Sequence, residues 1–397
     1  MNKNNIIHKI KNFLSTYILS NFTNCKKEND KKLTERNILY PSKLNKLNLS
    51  MIFFCILLVS CSNIGKTKKH SKEDSLNKYS TAIPVIFDTD IQGDYDDVGA
   101  LAMIHAFADN GKIKLLATMA SNKSPLVVPT IEIINTYFNR PEIPIGAIKT
   151  EGATQDSRDL HWPDSLIAHF PHTYKNNNEA PDAVTLYRKI LSHQTDSSVT
   201  IISVGFLTNL KNLLLSKPDS ISSLNGKELV ARKVKLWVAM GGSFPEKEEK
   251  RIKETNIKRD STSSKYTIDN WPTPIIFSGF EIGLKIKTGL RLIKNEKITN
   301  SPVKMAYAIN IAKRAYDKGG RRSWDQTAVL VAINGFNPYF GYKTGWFVTN
   351  SDGSNNWIDD SNGKHKYLVQ KMSPDSVAHV IEDLMMHKPL KSKSSKR

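Results

Sequence analysis

The segment IPVIFDTDIQGDYDDVGALAMIHAF, running from Ile83 to Phe107, places Asp88, Asp90, Asp94, Asp96 and Asp97 within ten positions. Val85–Phe87 is a short, continuous apolar run, the pattern of a strand buried on both faces. Val98–Ala108 is apolar and rich in alanine and leucine, long enough for a buried helix. The aspartates therefore occupy a strand-to-helix turn at the edge of a core. One or two of them, such as Asp96 and Asp97, could be helix caps, each contributing about 1 kcal/mol. Five could not, because their repulsion would outweigh any capping gain. Such a cluster predicts a bound cation. Oxygen-only ligands favour a hard ion, Ca²⁺ or Mg²⁺, over zinc, and Ca²⁺ better tolerates a bidentate carboxylate beside a backbone carbonyl.

The same alternation recurs along the chain. Ile113–Ala120 reads as a strand ending at Ser121-Asn122, with a helix over Val127–Phe138. Thr200–Val204 ends at Gly205, with a helix over Leu207–Leu215. Val234–Met240 ends at Gly241-Gly242, and Ile275–Phe277 at Ser278-Gly279. Repeated strand–helix units predict an α/β fold, an open and mainly parallel, Rossmann-like sheet with helices on both faces. Ligands of such sheets bind outside the carboxyl ends of the strands. The polar residues named here all fall at those ends.

Composition bounds the rest. The chain has 397 residues, 39% hydrophobic and 24% charged, with a net charge of +19. Residues 1–60 hold ten Lys/Arg against three acids, and the C-terminus adds Lys388, Lys391, Lys393, Lys396 and Arg397. Basic ends of this kind read as solvated segments. No basic patch is interleaved with aromatics, so no nucleic-acid partner is expected. The three cysteines, Cys25, Cys55 and Cys61, all lie near the N-terminus, which leaves the body without a disulfide framework or a thiolate metal site. Met51–Val59 is too short to span a bilayer but has the length of a signal-peptide core, with Lys43 and Lys46 upstream. Leu58-Val59-Ser60-Cys61 resembles the bacterial lipoprotein box, which implies lipidation at Cys61 and a membrane-anchored location in the cell envelope. The expected organisation is a leader over 1–60, a tether over 61–81, a catalytic-type domain over 82–388 and a basic tail over 389–397.

The motifs together resemble the inosine–uridine-type nucleoside hydrolases. DTDIQGDYDDVGAL is similar to that family's signature loop, in a bacterial branch whose loop is two residues longer. ATMASN, VGFLTNL, AMGGSF, ETNIKRD, NWPTPIIFSGFEIG and SWDQTAVL resemble further family segments, in order over residues 82–335. The resemblance implies Ca²⁺-dependent hydrolysis of the N-glycosidic bond of ribonucleosides, releasing ribose and a free base, with Asp90 activating the metal-bound water. It implies Asp90, Asp97, Asp325 and the Thr208 carbonyl as metal ligands. Asp96, Asn122, Glu254, Asn256 and Met240 match sugar-contacting positions, and Asp88 matches a carboxylate behind the ligands. Asp94 lies in the loop insertion, matches no family position and reads as a solvated residue.

One departure concerns the leaving group. Many members carry a histidine acid immediately before the last metal-binding aspartate. Here that residue is Trp324, which cannot donate a proton in that way but could stack on a base. His105 and Tyr316 read as structural. A non-catalytic riboside-binding lipoprotein and, from Asp88-Thr89-Asp90, a haloacid-dehalogenase-like phosphatase are the alternatives. The expected partner is a nucleoside or other riboside, and a homo-oligomer is left open. Beyond Asn334, GWFVTNSDGSNNWID reads as a hairpin turning at Asp352-Gly353, and Ser373-Pro374 starts a helix through Met386.

Overall fold

The computed structural model describes residues 82–246 and 250–390. The leader, Cys61, the tether and residues 391–397 of the basic tail lie outside the described residues.

Strand β1 (Ile83–Thr89) forms where the apolar run predicts it, and Val85, Ile86 and Phe87 are fully buried. Side chains of a strand alternate between faces. Val85 and Phe87 join one apolar layer, with Val98, Leu101 and Ile104 of helix α1 (Asp96–Asp109). Ile86 joins the other, with Tyr187, Leu210 and Leu213. Burying each such side chain contributes about 1.5–3 kcal/mol, so β1 is held between the two layers. The alternation also fixes the acids. Asp88 must share the face of Ile86, whereas the turn after Thr89 is free to point its carboxylates off the end of the sheet.

The remaining strands are β2 (Ile113–Ala120), β3 (Ile145–Ala147), β4 (Val199–Ser203), β5 (Val234–Met240), β6 (Ile275–Ser278), β7 (Lys287–Thr288), β8 (Arg321–Arg322), β9 (Phe340–Thr349), β10 (Asn355–Asp359) and β11 (His365–Gln370). Nine of the eleven strands, β1 included, make one sheet in the order β10-β9-β11-β6-β5-β4-β1-β2-β3, and β7 and β8 pair separately. Within the nine-stranded sheet every neighbour pair from β11 to β3 is parallel and the contacts of β9 with β10 and β11 are antiparallel; the separate β7–β8 pair is antiparallel too. The open, mainly parallel architecture is thus observed, with an antiparallel extension at one edge. The C-termini of β1, β4, β5 and β6 line up at the same end.

Helices α2 (Val127–Tyr137), α3 (Ala183–Ser192), α4 (Thr208–Leu215) and α5 (Thr255–Arg259) follow or cross between strands, and α6 (Trp324–Asn334) packs beside α1. The hairpin turns through Gly353 at φ 76°, a left-handed value that favours glycine. Helix α7 (Pro374–Met385) starts as the sequence implies, with the Ser373 hydroxyl accepting from the Ser376 N–H.

Candidate active site

Two helix N-termini converge at the end of β1. Asp96 and Asp97 occupy the first turn of α1, and Asp325 the first turn of α6. The partial positive charge of each N-terminus offsets part of the cost of gathering carboxylates there. Asp94, from the loop between β1 and α1, completes a group of four. One carboxylate oxygen from each of Asp94, Asp96, Asp97 and Asp325 lies within 4.8 Å of all the others. The donor set is all oxygen and the three helical carboxylates are buried, which fits a hard divalent cation.

The electrostatics report the same crowding. Burial pushes Asp97 up to about 7, with the Asp94 charge adding to it. Asp325 is held well above the usual carboxylate range by burial and then by the charges of Asp96 and Asp97. Asp90 is also raised, first by burial and then by Asp97, Asp94 and Asp96. The donors that reach these carboxylates, such as the Thr89 hydroxyl on Asp97, do not offset burial and mutual repulsion.

Asp94 and Asp96 also meet Arg321, which holds only Asp94 low; Asp96 stays well above the usual range because burial outweighs the guanidinium. The Arg321 Nη2 lies 2.6 Å from Asp94 and 2.5 Å from Asp96, and its Nε donates to the same Asp96 oxygen at 3.0 Å. Burial acts against ionisation of Asp94, but the Arg321 charge overrides it and holds that carboxyl low. The reading of Asp94 as a solvated loop residue is therefore corrected. Its side chain is only about a third exposed, at 35%, and the guanidinium anchors it over the cluster. The second oxygen of Asp96 accepts from the Trp324 N–H at 3.1 Å and the Asp325 N–H at 3.4 Å. Both Asp96 oxygens are thus engaged within the chain.

A cavity of about 460 Å³ opens over this cluster. Asp90, Asp94, Asp96, Met240, Glu254, Asn256, Trp324 and Asp325 line it together with Arg321. Asp90 shares the wall but stands outside the group of four. Its position depends on close backbone approach: a Cβ on Gly205 would lie 2.5 Å from the Asp90 N and 2.6 Å from its Cβ. Asn122 braces Asp90 from behind. Its Nδ2 donates to the Asp90 carbonyl at 3.0 Å and to the Gln155 carbonyl at 2.6 Å, while its Oδ1 accepts from the Ser124 and Gln155 N–H groups. Asn122 is fully buried and is absent from the cavity wall.

Glu254, which sequence context alone would place in a solvated charged run, is 3% exposed. It caps α5, accepting from the N–H groups of Asn256 and Ile257, and burial pushes it up to about 7. Asn256 donates to the Val204 carbonyl at 3.0 Å and touches Met240 Sδ at 3.3 Å. Thr208 is buried, with its hydroxyl donating to Asp260 at 2.5 Å. Asp88 sits on the Ile86 face as the alternation requires. Tyr187 donates to it at 2.8 Å and Asn209 also donates, yet burial still raises it to about 7.

Trp324 stacks on Phe280 with centroids 5.4 Å apart, and its indole N–H donates to the Phe280 carbonyl at 2.8 Å. A Cβ on Gly283 would fall 2.3 Å from the indole ring, so that glycine is needed for Trp324 to lie down. His105 is buried, bonded to Asn135 at 2.9 Å, away from the cavity. Tyr316 is exposed at the mouth. Sequence reasoning missed Arg321; its only signal is a doublet, Arg321-Arg322, three residues before Asp325.

Comparisons with known proteins agree with this geometry. The family described as inosine-uridine preferring nucleoside hydrolase matches residues 85–372. Among curated proteins none matches the sequence. Three solved structures share the fold at low identity. A plant nucleoside hydrolase is 18% identical over 77% of this chain and 99% of its own, with a TM-score of 0.56. The purine-preferring ribonucleoside hydrolase from Gardnerella vaginalis is 16% identical over 76% and 99%, with a TM-score of 0.58. The type III effector protein XopQ, solved with adenosine diphosphate ribose, is 12% identical over 79% and 96%, with a TM-score of 0.61. With the family matched across most of the chain and the acidic turn built at the end of β1, the chain belongs to the inosine-uridine preferring nucleoside hydrolase family, hydrolases acting on N-glycosyl compounds.

Proposed function

We propose that this chain hydrolyses the N-glycosidic bond of ribonucleosides with the help of Ca²⁺, releasing ribose and a free base. The observation that carries the reading is the oxygen-only group of Asp94, Asp96, Asp97 and Asp325, of which Asp94, Asp96 and Asp325 line the same cavity as Asp90. When bound, the divalent cation supplies a positive anchor for the ribose diol and polarises water beside the anomeric carbon.

The chain's own residues do the rest. Cleavage builds positive charge on the sugar ring, and the carboxylates around it stabilise that charge. Asp90, braced by Asn122 and Gly205, accepts the proton of the attacking water. Glu254, Asn256 and Met240 hold the sugar from the β5 side of the cavity. Trp324 and Phe280 form an apolar shelf for the leaving base. The Trp324 N–H is already spent on the Phe280 carbonyl, so it supplies no proton. That engagement also favours a second reading, a riboside-binding protein without turnover.

One assay separates the two. The full-length protein with Ca²⁺ is given a panel of purine and pyrimidine nucleosides and released ribose is measured. Ribose release lost in Asp90→Asn supports hydrolysis; tight binding without release supports the second reading. Lipidation at Cys61, and with it a place in the bacterial cell envelope, rests on the Leu58–Cys61 box alone. Metabolic labelling with a radioactive fatty acid, lost in Cys61→Ser, tests it.

A further inference from the structure

Arg321 is not the only guanidinium at the cavity. Arg314 and Arg322 line it too, and both are half-buried. The three are strung along two aromatic rings. Arg314 and Arg321 lie over Tyr95 at 5.8 and 5.1 Å, and Arg321 and Arg322 lie over Trp324 at 5.1 and 6.0 Å. The order is therefore Arg314, Tyr95, Arg321, Trp324, Arg322, a cationic ridge along one wall.

The middle member is consumed by Asp94 and Asp96. The outer two are not. Among the described residues no carboxylate forms an ion pair with Arg314 or Arg322. Arg314 donates one N–H to the Tyr316 hydroxyl at 3.0 Å and lends charge to Asp94 at longer range. Asp159, at the exposed rim, is the further acid on the wall. A plain nucleoside is neutral and gives these two side chains nothing to neutralise. Each guanidinium carries five N–H donors in a planar fork matched to phosphate or carboxylate oxygens.

Resting on the ribohydrolase reading, the geometry points to a substrate that carries an oxyanion, with Arg322 and Arg314 as its specificity-determining contacts. The oxyanion is a phosphate on the sugar or a carboxylate on the base. Arg322 flanks the aromatic shelf, and Arg314 extends the grip toward the mouth beside Tyr316. The acidic floor takes the cation and the diol, and the basic ridge takes the anion, so the cavity recognises a polarised ligand at both ends.

Isothermal titration calorimetry on the full-length chain with Ca²⁺ tests this, in an Asp90→Asn background that suppresses turnover. Uridine is compared with uridine 5′-monophosphate for the phosphate arm, and with orotidine for the carboxylate arm. At least one anionic member should bind tenfold or more tightly than uridine, and the arm that does so identifies the oxyanion. Arg322→Ala or Arg314→Ala should erase that preference while leaving uridine affinity within about twofold. Arg322→Lys should keep part of it, because the charge remains and the fork is lost. The preference should also shrink at high salt. Equal affinities, or a preference untouched by both alanine variants, overturn the inference and leave the ribohydrolase reading standing. Failure of all three ligands to bind the folded protein overturns both.

Discussion

Two acidic regions of this molecule behave in opposite ways. At the end of β1, Asp90, Asp96, Asp97 and Asp325 are all pushed above the usual carboxylate range, with burial the largest cause. On the antiparallel edge, Asp352 and Asp360 are held below it. Asp352 is lowered by hydrogen bonds from Lys253 and Ser354, and Asp360 by Trp346 and the Asn362 N–H. The edge acids stay in water and meet donors. The mouth acids have left water and mostly meet one another. Acid content alone does not mark a site; an uncompensated, buried set of acids does.

The contrast can be broken most sharply at Asp90. Asp90→Asn should lower kcat by about 10³-fold or more, the scale of a lost general base, while the melting temperature holds or rises because one mutually repelling charge is gone. A variant that unfolds, or one that turns over normally, would remove Asp90 from the chemistry. Arg321 is the next test. Arg321→Met strands Asp94 and Asp96 without their counter-charge and should cost about 3–5 kcal/mol in chelator, read from urea unfolding. Added Ca²⁺ should recover more stability in that variant than in the wild type.

The carboxylates also predict a pH dependence, and its sign follows from their direction. Asp97 has a folded value of about 7, above its unfolded value. Its contribution is intact below about pH 4 and is lost as the pH rises toward 7, at up to about 1.4 kcal/mol per pH unit for such a group. Metal-free protein should therefore become less stable across that window. Saturating Ca²⁺ should flatten the slope and add about 2.7 kcal/mol at a hundredfold excess over its Kd. A slope that is the same with and without the ion would argue against a cation at these four residues. The smallest effect belongs to the edge. Asp352→Asn removes a surface ion pair with Lys253 at 2.7 Å and should leave the melting temperature, activity and Ca²⁺ response unchanged.

Much of this was legible in the chain. Parallel strands buried on both faces are continuous apolar runs, so β2 and β5 fall at the bounds their residues predict, and β1, β4 and β6 differ only at their ends. The polar residues that stop each run then locate the site. What stayed hidden has one cause. Arg321 lies in a two-residue strand, 225 positions from Asp96, and no local pattern announces a partner at that distance. Without Arg321, Asp94 looks like any charged loop residue. Without the Trp324 and Asp325 N–H groups, Asp96 looks free to meet a sugar. Glu254 is legible only through the family resemblance, because its neighbours are charged and it is the tertiary fold that turns it inward.

The double engagement of Asp96 has a temporal meaning. One carboxylate rivets the first turn of α1 to β8 and to the start of α6, segments made early and late in synthesis. Until Arg321 emerges from the ribosome, the nascent chain carries its acidic turn without a matching base. The four-carboxylate group is therefore complete only once residue 325 has been made, and a product truncated before residue 321 would carry the strand and helix of the acidic turn but lack Arg321, Trp324 and Asp325 from the cavity wall.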